Sequence, residues 1–167
     1  MVTPLLMTTR FDKETWEYNC EWRLRHQLSG AYYNTSLPIS EKIPSNIVLY
    51  ILEMNNTTNK IMGLGIIKNH RQTGNYYKIY DIDSMNRYHY QSNIRITREQ
   101  ISPYSLLLQN GVWISLLECL EYICFKGSRH SKRSMGICRV PGIYFKGTIM
   151  KQIMILLEDC IKKNMKK

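Results

Sequence analysis

The stretch "KGSRHSKRSMGICRVPG", residues 126 to 142, brings Lys126, Arg129, Lys132, Arg133 and Arg139 together with His130 and contains no carboxylate. The acid-free run is longer still, extending from Tyr122 to Leu157 and adding Lys146 and Lys151. A second acid-free run, Ser84 to Arg98, interleaves Arg87, Arg95 and Arg98 with Tyr88, His89 and Tyr90. Guanidinium and ammonium groups neutralise phosphates, and aromatic rings beside them stack on exposed bases. The chemistry implied is polyanion contact, with Arg87, Arg95, Arg129, Lys132, Arg133 and Arg139 as the expected nucleic-acid-binding set. The competing reading of the tyrosines is cross-strand packing.

Covalent chemistry finds less footing. The chain has no G-x-S-x-G, P-loop or H-E-x-x-H motif, and the acid pair Asp81 and Asp83 has the spacing of a turn cap. His89 or His130, with a lysine or tyrosine, has the chemistry of a metal-independent nuclease, but spacing alone does not bring them together. Cys138 beside Arg139 is either a thiol of lowered pKa or a small half-buried residue before "RVP". The five cysteines form no C-x-x-C pair and no zinc spacing with the four histidines, so no metal or cofactor is expected.

A net charge of +10 over 167 residues, with a pI near 9.4, exceeds what solubility needs and fits an anionic partner. The length suits one domain. The start "MVTPLLMTTRF" lacks a basic segment followed by a long apolar one, and no apolar run approaches a membrane span. The expectation is a soluble intracellular protein, cytoplasmic or nuclear, with reduced thiols. The sequons at Asn34, Asn55 and Asn56 then read as loop asparagines.

Elements must position these groups. Thr9 followed by Asp12, and Gly30 as a stop, predict a helix over about 12–28, whose Arg23, Arg25 and His26 complement the dipole at its C-terminal end. Prolines and serines between Gly30 and Ser45 predict an irregular connection. "NIVLYILEM" and "KIMGLGIIKN" read as a hairpin around a polar turn at 55–59, with barrel strands over about 46–101. Gly63 and Gly65 share one strand face and bare it for the close approach of a helix, a crossing strand or a ligand. "NYYKIYDI" and "NRYHYQSNIRI" continue the period-2 pattern and predict further antiparallel strands. Apolar residues at helical spacing, Trp113 to Cys124 and Ile149 to Ile161, predict helices over about 111–126 and 148–163, with Glu118 and Glu121 facing solvent.

The order of these strands over residues 46–101, with G-x-G in the second and an aromatic-basic strand after it, resembles the core of PUA-like domains of the EVE and YTH group. That resemblance implies a small β-barrel with flanking helices and a pocket holding one unpaired or modified base between aromatic side chains. Here the counterparts in front of the first hairpin strand are Trp16, Trp22, Tyr32 and Tyr33, with Tyr88 and Tyr90 from the aromatic-basic strand. The long N-terminal helix and the segment "SRHSKRSMGICRVP" depart from the group's pattern.

The expected fold is thus α+β, a PUA-like curled antiparallel sheet with flanking helices. The expected function is nucleic-acid binding without a membrane partner, RNA before DNA. An ASCH-like nuclease and a basic protein-interaction module are the alternatives.

Overall fold

A computed structural model describes residues 3–74 and 76–166. The first strand, β1 (Leu5–Phe11), is followed by α1 (Lys13–Arg25), β2 (Ala31–Thr35), β3 (Val48–Asn55) and β4 (Lys60–Lys68). Then come β5 (Tyr88–Ser92), β6 (Arg95–Thr97), α2 (Arg98–Ile101) and the hairpin β7 (Ser105–Leu107) and β8 (Trp113–Ser115). The chain closes with α3 (Leu116–Glu121), β9 (Cys138–Arg139) and α4 (Thr148–Met165).

The main sheet has the order β6-β4-β3-β1-β9. β1 and β3 run parallel, and the other neighbours are antiparallel. The fold is α+β as expected, but the sheet is mixed and open at β6 and β9, where sequence patterning predicted a curled, largely antiparallel barrel. The reason is β1, a segment to which sequence patterning assigns no element. "LLMTTRF" alternates, with Leu6 and Met7 fully buried toward opposite cores, and it fills the gap between β3 and β9. Parallel strands need a crossover, and α1 with β2 supplies it.

Period-2 alternation sends the two faces of the sheet into two cores. Leu6, Leu52, Leu64 and Ile96 pack with α3 and α4, through Leu116, Leu120, Ile153 and Leu157. Met7, Leu49, Ile51 and Ile67 pack with Trp22 of α1 and with a two-stranded ribbon in which Tyr33 of β2 faces Tyr90 of β5.

Local boundaries moved for identifiable reasons. Asp12 caps α1, accepting from the Thr15 N–H at 2.8 Å while Thr15 Oγ1 accepts from the Asp12 N–H at 3.0 Å; Thr9 lies in β1. The helix ends at Arg25, and Gln27 turns the chain with φ 55°. Of the strand expected over "NYYKIYDI", Asn75 lies outside the described residues and Tyr76–Ile79 is irregular. Asn86 replaces a strand partner there: its side chain accepts from the N–H groups of Ile79 and Tyr80 and donates to the Tyr80 and Ile82 carbonyls. The helix expected from 111 starts at Leu116, because Val112 to Ser115 belongs to the β7–β8 hairpin and Ser115 is the cap, accepting from the Glu118 N–H at 3.1 Å. Glu121 is half-buried where full exposure to solvent is expected from the sequence. It accepts from the Ile61 N–H at 3.0 Å and pairs with Arg98. Among the described residues no helix is long and apolar enough to cross a membrane.

Candidate nucleic-acid interface

The bare face of β4 is filled by protein. A Cβ on Gly65 would overlap the Tyr33 hydroxyl and lie 2.8 Å from Ala31 Cβ, so β2 is the crossing strand that Gly65 admits. A Cβ on Gly63 would meet Arg95 Nη2, Glu53 Oε2 and the Ile96 carbonyl, each at 2.7 Å. Tyr33 donates to Glu53 Oε1 at 2.8 Å, and Arg95 grips the same carboxylate through Nε and Nη2 at 2.9 and 2.6 Å. Arg95 side-chain exposure is 9%, so this guanidinium is committed to a buried ion pair and faces no solvent phosphate. Burial and the adjacent Glu53 charge hold the Tyr33 phenol well above its ordinary pKa.

The aromatic residues expected to cage a base are accounted for within the core. Trp22 is buried and stacks on His26 at 4.4 Å, with Tyr32 at 5.6 Å. Trp16 is half-buried, edge-on to Phe11, and lies beneath Arg95 and Arg23 at 5.6 and 5.8 Å. Tyr90 is buried, and its hydroxyl accepts from the Ile39 N–H at 3.0 Å. These residues join α1, the β2–β5 ribbon and the sheet. Of the six, Tyr88 lines an open cavity.

That cavity, about 590 Å³, is bounded by Arg71, Gln72, Thr73, Gly74, Tyr76, Tyr77, Asn86, Arg87, Tyr88 and His89, with no carboxylate among them. Arg71 lies over the Tyr88 ring at 5.3 Å. Tyr76 is 64% exposed, and Arg87 is exposed with no carboxylate in ion-pair reach among the described residues. Its inner wall is polar and held in place. Asn34 donates to the Tyr77 carbonyl at 2.6 Å and to Asn86 Oδ1 at 2.8 Å, which leaves its own Oδ1 to accept from His89 Nδ1. Nδ1 therefore carries a proton, and burial lowers the His89 pKa from its ordinary value against the opposing contact of Nε2 with Gln91 Oε1. The Tyr77 ring packs on this imidazole at 4.4 Å. Arg71, Tyr76 and Tyr77 were not singled out from the sequence as site residues; an arginine in the 69–74 loop next to a tyrosine pair was the available signal.

The basic stretch of residues 126–139 is a folded loop. Buried Ser131 donates its N–H to the Cys124 carbonyl at 2.8 Å. The Lys132 carbonyl accepts from Arg10 Nη1 at 3.0 Å and Asn56 Nδ2 at 2.9 Å. The Tyr144 ring fills the space that the absent side chain of Gly127 leaves, and its hydroxyl accepts from the Arg129 N–H at 3.3 Å. Arg129, His130 and Arg133 project into solvent, Lys132 is half-buried, and Arg139 lies over Phe145 at 5.4 Å. Cys138 donates its thiol proton to the Met135 carbonyl at 3.0 Å, and burial pushes its pKa up, which suits the packing role and not a reactive thiolate. Asp81 and Asp83 serve locally, accepting from Tyr18 and from Tyr76.

A small polar pocket of about 110 Å³ is lined by residues of both acid-free runs. Thr9, Arg10, Asn34, Thr35, Ser36, Met85, Met135 and Gly136 line it. Met85 belongs to one acid-free run and Met135 and Gly136 to the other, so runs separated in sequence meet on one surface. Among the described residues no group of three or more His, Cys, Asp or Glu is placed to hold a metal ion. No protein-family model matches the chain, and neither a curated protein nor a solved structure matches it.

Proposed function

We propose that the chain binds single-stranded nucleic acid, RNA before DNA, along a surface running from the Arg71–Arg87 cavity past the small polar pocket to the 126–139 loop. The observation that carries this reading is the convergence of the two acid-free runs on that pocket, with no carboxylate lining either cavity. Exposed guanidinium groups supply phosphate contacts. Tyr88, one of the six pocket residues that the resemblance to PUA-like domains implies, and Tyr76 supply ring faces for an unpaired base in place of Trp16, Trp22, Tyr32, Tyr33 and Tyr90. The pinned loop and the hydrogen-bonded inner wall hold these groups in place before a ligand arrives, which reduces the ordering cost of binding.

The test is titration of single-stranded RNA, single-stranded DNA, duplex and an acidic polypeptide at two salt concentrations. Single strands are expected to bind most tightly, with affinity falling steeply as salt rises because counterions are released from each neutralised phosphate. Binding that is absent at low salt overturns the proposal. So does a preference for the acidic polypeptide, which would make this face a protein-interaction surface.

A further inference from the structure

A second cavity, of about 460 Å³, adjoins the first across Gln72, a residue that lines both. The divide is a main-chain bridge: the Gln72 N–H donates to the His89 carbonyl on β5 at 2.9 Å. A side-chain contact also crosses it, because Gln91 lines the second cavity and its Oε1 lies 3.0 Å from Nε2 of His89, which lines the first. The floor of the second cavity is aliphatic, formed by Val48, Ile66 and Ile94, and its rim carries Lys68. No carboxylate lines it.

Resting on the nucleic-acid reading above, we infer that this second cavity holds the neighbouring nucleotide of the same strand, so that the minimal ligand is a dinucleotide. A flat ring meets the aliphatic floor without loss of hydrogen bonds. The Gln72 amide offers a donor and an acceptor to a base edge, and the Gln91 Nε2 group a further donor. Lys68 is exposed and has no carboxylate in ion-pair reach among the described residues, which leaves its ammonium group for the linking phosphate. The ridge between the cavities is fixed by hydrogen bonds, so two bases are splayed to either side of it and are not stacked on each other.

The experiment is calorimetric titration of uridine 5′-monophosphate and 5′-phosphorylated di- and triuridylate, with the adenylate series alongside. Wild-type protein should gain about tenfold or more in affinity from one to two nucleotides and little from two to three. Lys68→Glu, a surface change, should abolish most of that gain while leaving the monophosphate affinity near wild type. Ile94→Trp, which fills the floor, should do the same if it folds. A wild-type chain that binds monophosphate with no gain on adding a second nucleotide overturns this inference alone. A gain retained in Lys68→Glu also overturns it. Absence of binding at every length overturns this inference, and overturns the nucleic-acid reading as well when longer single strands also fail to bind at low salt.

Discussion

At Gly65 the space of a side chain is taken by the hydroxyl of a tyrosine from another strand, and that hydroxyl is the donor to a buried carboxylate. Gly65→Ala forces either the ring or the strand to move and should cost about 1–3 kcal/mol, as overpacking generally does. Tyr33→Phe deprives Glu53 of a donor at about 1–3 kcal/mol but also vacates part of the contested space. Urea unfolding of both variants and their combination should therefore show a double variant that loses less than the sum of the single losses. Strict additivity would mean that the two residues do not share that space. A second residue-scale expectation concerns His89, whose folded imidazole resists protonation because it is buried. The unfolded chain binds that proton near the ordinary value of about 6.5, and the folded chain binds it only at lower pH. Acid then favours the unfolded state, so the His89 contribution is complete above pH ~6.5 and is lost as pH falls below it. NMR titration of the ring should place its midpoint below the ordinary value, and stability at pH 5 should fall below that at pH 7.5. A midpoint above the ordinary value would contradict the buried, neutral assignment.

The 126–139 loop is an element whose shape is set by its neighbours while its charges are left to solvent. Its backbone is pinned by Arg10, Asn56, Cys124 and Tyr144. The side chains of Arg129 and Arg133 take no part in that pinning, and Lys132 contributes only its carbonyl. Replacing Arg129, Lys132 and Arg133 together by alanine should change stability by no more than about 0.5 kcal/mol. The same variant should weaken binding to all single-stranded sequences alike and flatten the salt slope by as many phosphate contacts as were removed. Wild-type affinity and slope in this variant would show that the loop serves another partner. Gly127→Ala acts on the same element from the other side, because the added carbon meets the Tyr144 ring and unpins the loop while keeping every charge. It should reduce affinity with the salt slope retained, which separates loop shape from loop charge.

Across the whole molecule, β1 joins the parts: it pairs along its full length with β3, takes β9 on its other edge, and sends Leu6 and Met7 into opposite cores. A chain beginning at Asp12 should lose cooperative unfolding and dispersed NMR signals, since both cores would open at once. Retention of a cooperative transition would show that β1 is dispensable to them. The periodicities that one element carries alone were legible in the sequence: the β3–β4 hairpin, the apolar stripe of α4, the bare face at Gly63 and Gly65, and the two acid-free runs. Each depends on local spacing or on composition, which the chain states residue by residue. The pairing of β1 parallel to β3 was not legible, because parallel partners lie far apart in sequence and leave no turn between them to read. For the same reason Arg87 and Arg95, alike in sequence context, part company in space: one lines an open cavity while the other is buried against Glu53. Uncompensated positive charge, and the helices expected on either side of it, could be read from residue order alone. Which aromatic rings are spent in the core and which guanidinium groups remain at the surface emerges only in the folded chain, because burial is settled by contacts between residues that no local pattern relates.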